Sequence, residues 1–100
     1  MPLMNDPSGM RKRADWMTKS DDAILEVLRD EGNLTPLAAS KDGMVSRVDI
    51  GRKYAGQRLR NLVRYGLVEY VDEGLYRLTD DGRAYLDEKL DASTLDPIDE

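Results

Sequence analysis

The chain has 100 residues, of which 35% are charged, a formal net charge of −5, and neither Cys nor His. That length suits one small domain; without Cys there is no disulfide or thiolate site, and without His the usual general base and the commonest zinc ligand are both missing. No apolar run approaches the ~20 residues of a membrane helix, and Met1 to Gly9 lacks the apolar core of a signal peptide, so the expectation is a cytoplasmic protein without cofactor, metal or enzymatic activity. Asp outnumbers Glu, Arg outnumbers Lys, and Phe is absent. Such an acidic, solvated surface suits a halophile with a salt-rich cytoplasm, where screening suppresses its self-repulsion; an ordinary acidic, soluble bacterial or archaeal protein is the plainer alternative.

Residues 1–13 read as a disordered or basic N-terminal arm. Met1 to Gly9 holds two Pro, a Ser and a Gly and little to bury. Arg11-Lys12-Arg13 is either an arm that touches phosphate or a minor groove or a solvated tail, with the tail slightly favoured. Trp16 and Met17 give the first apolar contact, with Trp16 partly buried against the domain or a partner chain. A first helix begins at Thr18, where Thr18-Lys19-Ser20-Asp21 resembles a capping box and Asp21 and Asp22 suit the positive end of the helix dipole. Ile24, Leu25, Val27 and Leu28 form its buried stripe, and Gly32 ends it. Thr35 and Pro36 then cap and open a short second helix to about Lys41, which Asp42-Gly43 breaks. Residues 40–51 are irregular; Gly43 to Val48 is the turn before the next helix, with room for a short extended piece at Met44 to Val48.

From Asp49 to Gly66 the periodicity is again helical. Ala55, Leu59, Leu62 and Val63 share one face. Lys53, Gln57, Arg60, Asn61 and Arg64 share the other, with Tyr54 beside them. Asp49 is the candidate N-cap and Gly66 the residue just past the end. Residues 47–64 carry six cations against the single Asp49, so this stretch is net +5 and the rest of the chain carries −10. A basic face on one helix of an acidic protein points to nucleic acid backbone; bridging to the many surface Asp residues would not require six cations so close together. Gly56, costing about 1 kcal/mol relative to Ala inside a helix, suggests close approach of another helix or of DNA backbone. Arg58, at the edge of the apolar stripe, is as suited to a local carboxylate as to DNA.

After Gly66 the pattern turns extended. Leu67 to Val71 and Leu75 to Leu78 read as the two strands of a hairpin joined by Asp72-Glu73-Gly74. Thr79 caps a last helix from about Asp80 to Leu90. Residues 92–100 read as a frayed acidic C-terminal tail, leaving 14–91 as the domain.

Helix, helix, helix, β-hairpin, helix is the winged helix-turn-helix order, an α+β fold that is mostly helical. The run Arg58-Leu59-x-x-Leu62-x-x-Tyr65-Gly66-Leu67-Val68 resembles the passage from recognition helix to wing in that family, and Tyr76-x-Leu78-Thr79-x-x-Gly82 resembles the return strand and the capped helix after it. Ala14-Asp15-Trp16-Met17-Thr18, then Asp21-Asp22-x-Ile24-Leu25, and the ending Tyr85-Leu86 to Leu90-Asp91-Ala92 look like haloarchaeal winged-helix regulators related to a halophage repressor. The resemblance covers about Ala14 to Ala92. It implies DNA-binding transcription regulation by a homodimer, as a repressor. The acidic wing tip departs from the family pattern, since a phosphate-gripping wing would carry Arg or Lys.

In that setting helix 49–66 would enter the major groove. Lys53, Tyr54 and Gln57, with Asn61 further along, are the candidates for base edges. Arg52, Arg60, Arg64 and Arg47 are placed on phosphate, with Arg77 on the return strand as a flanking contact. The expected partners are double-stranded DNA and a second copy of the chain, in the first and last helices with Trp16 and Leu90; no small-molecule effector is predicted. The alternative is a winged-helix module that binds protein instead, which the acidic wing tip favours.

Overall fold

The computed structural model describes residues 11–43 and 48–98. Helix α1 spans Lys19–Glu31 and α2 Arg52–Arg64, strands β1 (Val68–Tyr70) and β2 (Tyr76–Leu78) form an antiparallel hairpin, α3 spans Asp80–Leu86, and a single 3-10 turn covers Ala92–Thr94. This is the small α+β winged-helix arrangement. The expectations for Met1 to Gly9, and most of that for Met44 to Val48, lie outside the described residues.

The cap foreseen for α1 is present. The Thr18 hydroxyl accepts the Asp21 N–H at 3.4 Å, and the Asp21 carboxylate accepts the Thr18 N–H at 3.0 Å. Ile24, Leu25, Val27 and Leu28 are buried. Gly32, at φ +93°, closes the helix with its N–H on the Leu28 carbonyl.

The short second helix does not form; the segment after Thr35 is a string of turns. Thr35 does accept the Ala38 N–H, and one helical bond follows from Ala39 N–H to the Thr35 carbonyl. Then the Ser40 hydroxyl takes over, donating to the Leu37 carbonyl at 2.7 Å and accepting the Asp42 N–H at 3.1 Å. Such local side-chain bonds compete with helix propagation. Gly43 folds back so closely that a side chain there would strike the Ala38 carbonyl, and Lys41 N–H is drawn to the Ile50 carbonyl at 2.8 Å.

Helix α2 starts later than expected. Its N-cap is Gly51, with no side-chain bond, while Asp49 is exposed two residues earlier. Its end matches the expectation for Gly66. At φ +83°, Gly66 donates to the Val63 carbonyl while Leu67 donates to that of Leu62, both at 3.0 Å. This Schellman pair satisfies two of the carbonyls that a helix leaves open at its end. Leu59, Leu62, Leu67 and Tyr76 are buried, and Val63 packs against the same core.

The hairpin pairs Val68 with Leu78, Glu69 with Arg77 and Tyr70 with Tyr76. Leu34 adds a bridge on the far side of Tyr76, through bonds of 3.0 and 2.8 Å, so the wing is stitched to the turn after α1. Thr79 caps α3 through the Gly82 N–H and donates its own hydroxyl proton to the Gly66 carbonyl at 2.6 Å. Helix α3 stops at Leu86, not Leu90. Glu88, at φ +66°, donates to the Tyr85 carbonyl and Lys89 to that of Ala84: a second Schellman ending, with Glu in the place usually held by Gly.

The chain ends differ from their expected states where they are described. Arg11 Nη1 meets Glu26 Oε2 at 2.5 Å, Arg11 Nε donates to the Leu86 carbonyl, and Arg13 Nη2 meets Asp22 Oδ2 at 3.2 Å. The basic cluster is thus neither a free tail nor an outstretched arm at these two residues. Asp22 also accepts the hydroxyl of fully buried Tyr85 at 2.7 Å. Burial first, then this bond, raises the Tyr85 pKa well above its ordinary value. At the C-terminal end Ala92 is buried with its N–H on the Lys12 carbonyl, Leu95 packs on the core, and Ile98 N–H reaches the Arg64 carbonyl at 2.6 Å.

Candidate nucleic-acid interface

The thirteen residues of α2 divide by burial as their sequence spacing requires. Ala55, Gly56, Arg58, Leu59 and Leu62 face inward. Lys53, Gln57, Arg60 and Arg64 are exposed, and their steps of four, three and four residues set them in one stripe along the helix. Tyr54, 43% exposed, and half-buried Asn61 border that stripe on one side. Among the described residues no carboxylate forms an ion pair with Arg52, Lys53, Arg60 or Arg64. The first turn of α2 also holds no acidic residue, so nothing there offsets the positive end of its dipole.

Beside the N-terminal half of this stripe lies an open hollow of about 540 Å³, between the turn after α1 and α2. Thr35, Pro36 and Leu37 form one wall, and Arg52, Lys53, Gly56 and Arg60 the other. Gly56 therefore faces Pro36, with no second helix against it. From the sequence, Thr35 and Pro36 are expected to cap and open a second helix that includes Leu37, and no expectation places these residues beside α2.

Arg58 settles on a carboxylate. Its Nε and Nη2 donate to the two oxygens of Asp21 at 2.8 and 2.6 Å, and Nη2 also donates to the Trp16 carbonyl at 2.9 Å. The bond to Asp21 raises the Arg58 pKa against the opposing effect of burial, so the cation persists at any ordinary pH. Its Cζ lies 5.9 Å from the Tyr54 ring centroid and 6.0 Å from that of Trp16. Trp16 in turn stacks on Tyr65 at 4.4 Å, so in this chain it packs within its own domain.

Two expected site residues stand apart. Arg77 is on the hairpin and is held by Glu69 at 2.7 Å, both about half exposed. Arg47 lies outside the described residues. The wing tip is acidic, with Asp72 and Glu73 exposed and Glu73 at φ +52°. No group of His, Cys, Asp or Glu among the described residues is arranged to hold a metal, and no described helix is long and apolar enough to cross a membrane.

Residues 10–97 match the winged helix-turn-helix phage repressor family. The chain belongs to that family. It is also similar to the PhiH1 repressor-like protein from Haloarcula marismortui, whose crystal structure superposes with a TM-score of 0.79 at 32% identity, covering 88% of this chain and 97% of that one. No curated protein matches. Within the phage repressor family frame, α2 is the helix that precedes the wing, and its stripe exposes Lys53, Arg60 and Arg64.

Proposed function

We propose that this chain is a sequence-specific, double-stranded DNA-binding transcription regulator, acting as a repressor, with α2 in the major groove. The observation that carries it is the exposed stripe of Lys53, Gln57, Arg60 and Arg64, without an ion pair among the described residues, on a helix directly followed by the wing. At 1.5 Å per residue α2 is about 20 Å long, enough to lie along a groove. Lys53, Tyr54, Gln57 and Asn61 would meet base edges, since Lys reaches guanine acceptors and Gln and Asn bond adenine. Arg52, Arg60 and Arg64, with Arg47, would neutralise phosphates, Arg52 and Arg60 from the rim of the hollow beside Pro36. Arg77 would join as a flanking contact only by leaving Glu69. A homodimer would present two such helices to a palindromic site, inside a cytoplasm whose salt screens the acidic surface.

Selection from random duplex DNA, followed by fluorescence anisotropy of the enriched and shuffled sequences, tests this. The expected result is an enriched site bound in competition, and lost when Lys53→Ala and Gln57→Ala are combined. No enrichment and no saturable binding would sink it. A second reading, a protein-binding winged-helix module, is favoured by the hairpin: Tyr70 and Val71 are 51% and 38% exposed beside the acidic Asp72 and Glu73.

A further inference from the structure

Arg58 spends its charge inside the protein, and what it does there bears on the exposed face. Asp21 is fully buried and fixed by the Thr18 cap. It grips the Arg58 guanidinium from one side while the Trp16 carbonyl takes a third proton. Replacing a buried ion pair by apolar residues is often neutral or stabilising, so fold stability alone does not account for this pair. One helical turn before Arg58 stands Tyr54, with its ring against the same guanidinium. Tyr54, Arg58, Trp16 and Tyr65 therefore form a continuous chain of contacts along one flank of α2.

We propose that the Asp21–Arg58 pair is a positioning device for Tyr54, holding its ring at the edge of the groove-facing stripe and thereby setting base discrimination. This rests on the DNA-binding reading above. A buried pair is screened far less by salt than phosphate contacts are. The positioning therefore persists as salt rises and affinity from Arg52, Arg60 and Arg64 falls. Arg58 and Asp21 touch no DNA themselves; they act through Tyr54.

The test combines Asp21→Asn with Arg58→Met, which removes both charges and leaves no orphan ion, beside Tyr54→Leu. Arg58→Lys, which keeps a cation but loses the two-pronged grip, serves if the pair variant does not fold. The first readout needs no DNA: NMR relaxation of labelled tyrosine rings, with Tyr85 as the internal reference. The Tyr54 ring is expected to be ordered in the native chain and mobile in the pair variant, with Tyr85 unchanged. The second is the ratio of affinities for enriched and shuffled duplexes, from low to molar salt. The pair variant and Tyr54→Leu should each lower that ratio about tenfold, the scale of one base contact. Combining them should add nothing further. An unchanged Tyr54 ring in the pair variant, or a pair variant with the native ratio, overturns the proposal. A native chain with no preferred duplex overturns the DNA-binding reading and the discrimination step with it, while the ring measurement still decides whether the pair holds Tyr54.

Discussion

Gly56→Ala should make the protein more stable. Glycine in a helix interior costs about 1 kcal/mol relative to alanine, and the space for a methyl exists. A Cβ at Gly56 would lie 3.7 and 3.8 Å from Pro36 Cβ and Cγ and 3.4 Å from Arg60 Nη1, the free end of a flexible side chain. The backbone there is ordinary helix, so no strain offsets the gain. The expected net effect is about +1 kcal/mol, which for a domain of this size raises Tm by roughly 4–8 °C. Gly82→Ala is the control with the opposite sign. Its Cβ would strike the Leu67 carbonyl oxygen and stand 2.6 Å from Leu78 Cδ1, and the carbonyl belongs to backbone that the Schellman ending of α2 holds in place. The same propensity gain is there overwhelmed by overpacking of about 1–3 kcal/mol. Thermal and urea unfolding followed by circular dichroism read both. A Gly56→Ala protein that melts below the native one would refute the spatial argument. The methyl also narrows the hollow beside Arg60, so a more stable variant that binds DNA more weakly is the expected functional counterpart.

Tyr85→Phe removes the hydroxyl on Asp22 and should cost about 1–2 kcal/mol at neutral pH. Because the Tyr85 pKa is raised on folding, its contribution is full below the unfolded value near 10 and is lost as pH rises through the folded value. Urea midpoints measured towards alkaline pH should thus fall less steeply in the variant; parallel curves would count against it. Thr79→Ala deletes a hydroxyl that both caps α3 and bonds the Gly66 carbonyl, with an expected loss of about 1–2 kcal/mol. A loss of only a few tenths would show that water replaces it. Arg60→Ala and Arg64→Ala should each lower the salt slope of DNA binding by about one, whereas Arg77→Ala, occupied by Glu69, should leave it unchanged.

What the sequence disclosed follows the range of the interactions. The cap at Thr18, the stop at Gly32, the turn at Gly66 and the cap at Thr79 are all made by residues within a few positions of each other, and all were readable. So was the exposed stripe of α2, because helical spacing alone sorts Lys53, Gln57, Arg60 and Arg64 from Leu59 and Leu62. The failures are of longer range or carry no residue signature. Arg58 finds Asp21 thirty-seven positions away, and Arg11 and Arg13 find Glu26 and Asp22 only once the chain has folded. The end of α3 rests on Glu88 in a left-handed conformation, which its residue type does not announce. The turns after Thr35 replace a helix because Ser40 bonds locally and Lys41 is pulled to Ile50, and only the second of these needs the tertiary fold.

The distribution of charge sets the last expectation. Near the N-terminus Arg11 and Arg13 are held by carboxylates of α1, and on the hairpin Arg77 is held by Glu69. The stripe of α2 is exposed and has no ion pair among the described residues of an acidic body, and the wing that follows it carries Asp72 and Glu73 at its tip. Beside a bound duplex those two carboxylates would repel phosphate without touching it. Asp72→Asn with Glu73→Gln should then strengthen binding to shuffled DNA severalfold at low salt. At 0.1 M, where the screening length is about 10 Å, the gain shrinks, and near 1 M, at about 3 Å, it vanishes. Anisotropy over that salt range separates three situations. A gain that fades with salt is repulsion acting through solvent. A gain that persists at high salt means the tip sits directly on DNA, contrary to this arrangement. No gain at any salt places the wing away from the duplex, where an acidic tip flanked by exposed Tyr70 and Val71 suits a protein partner.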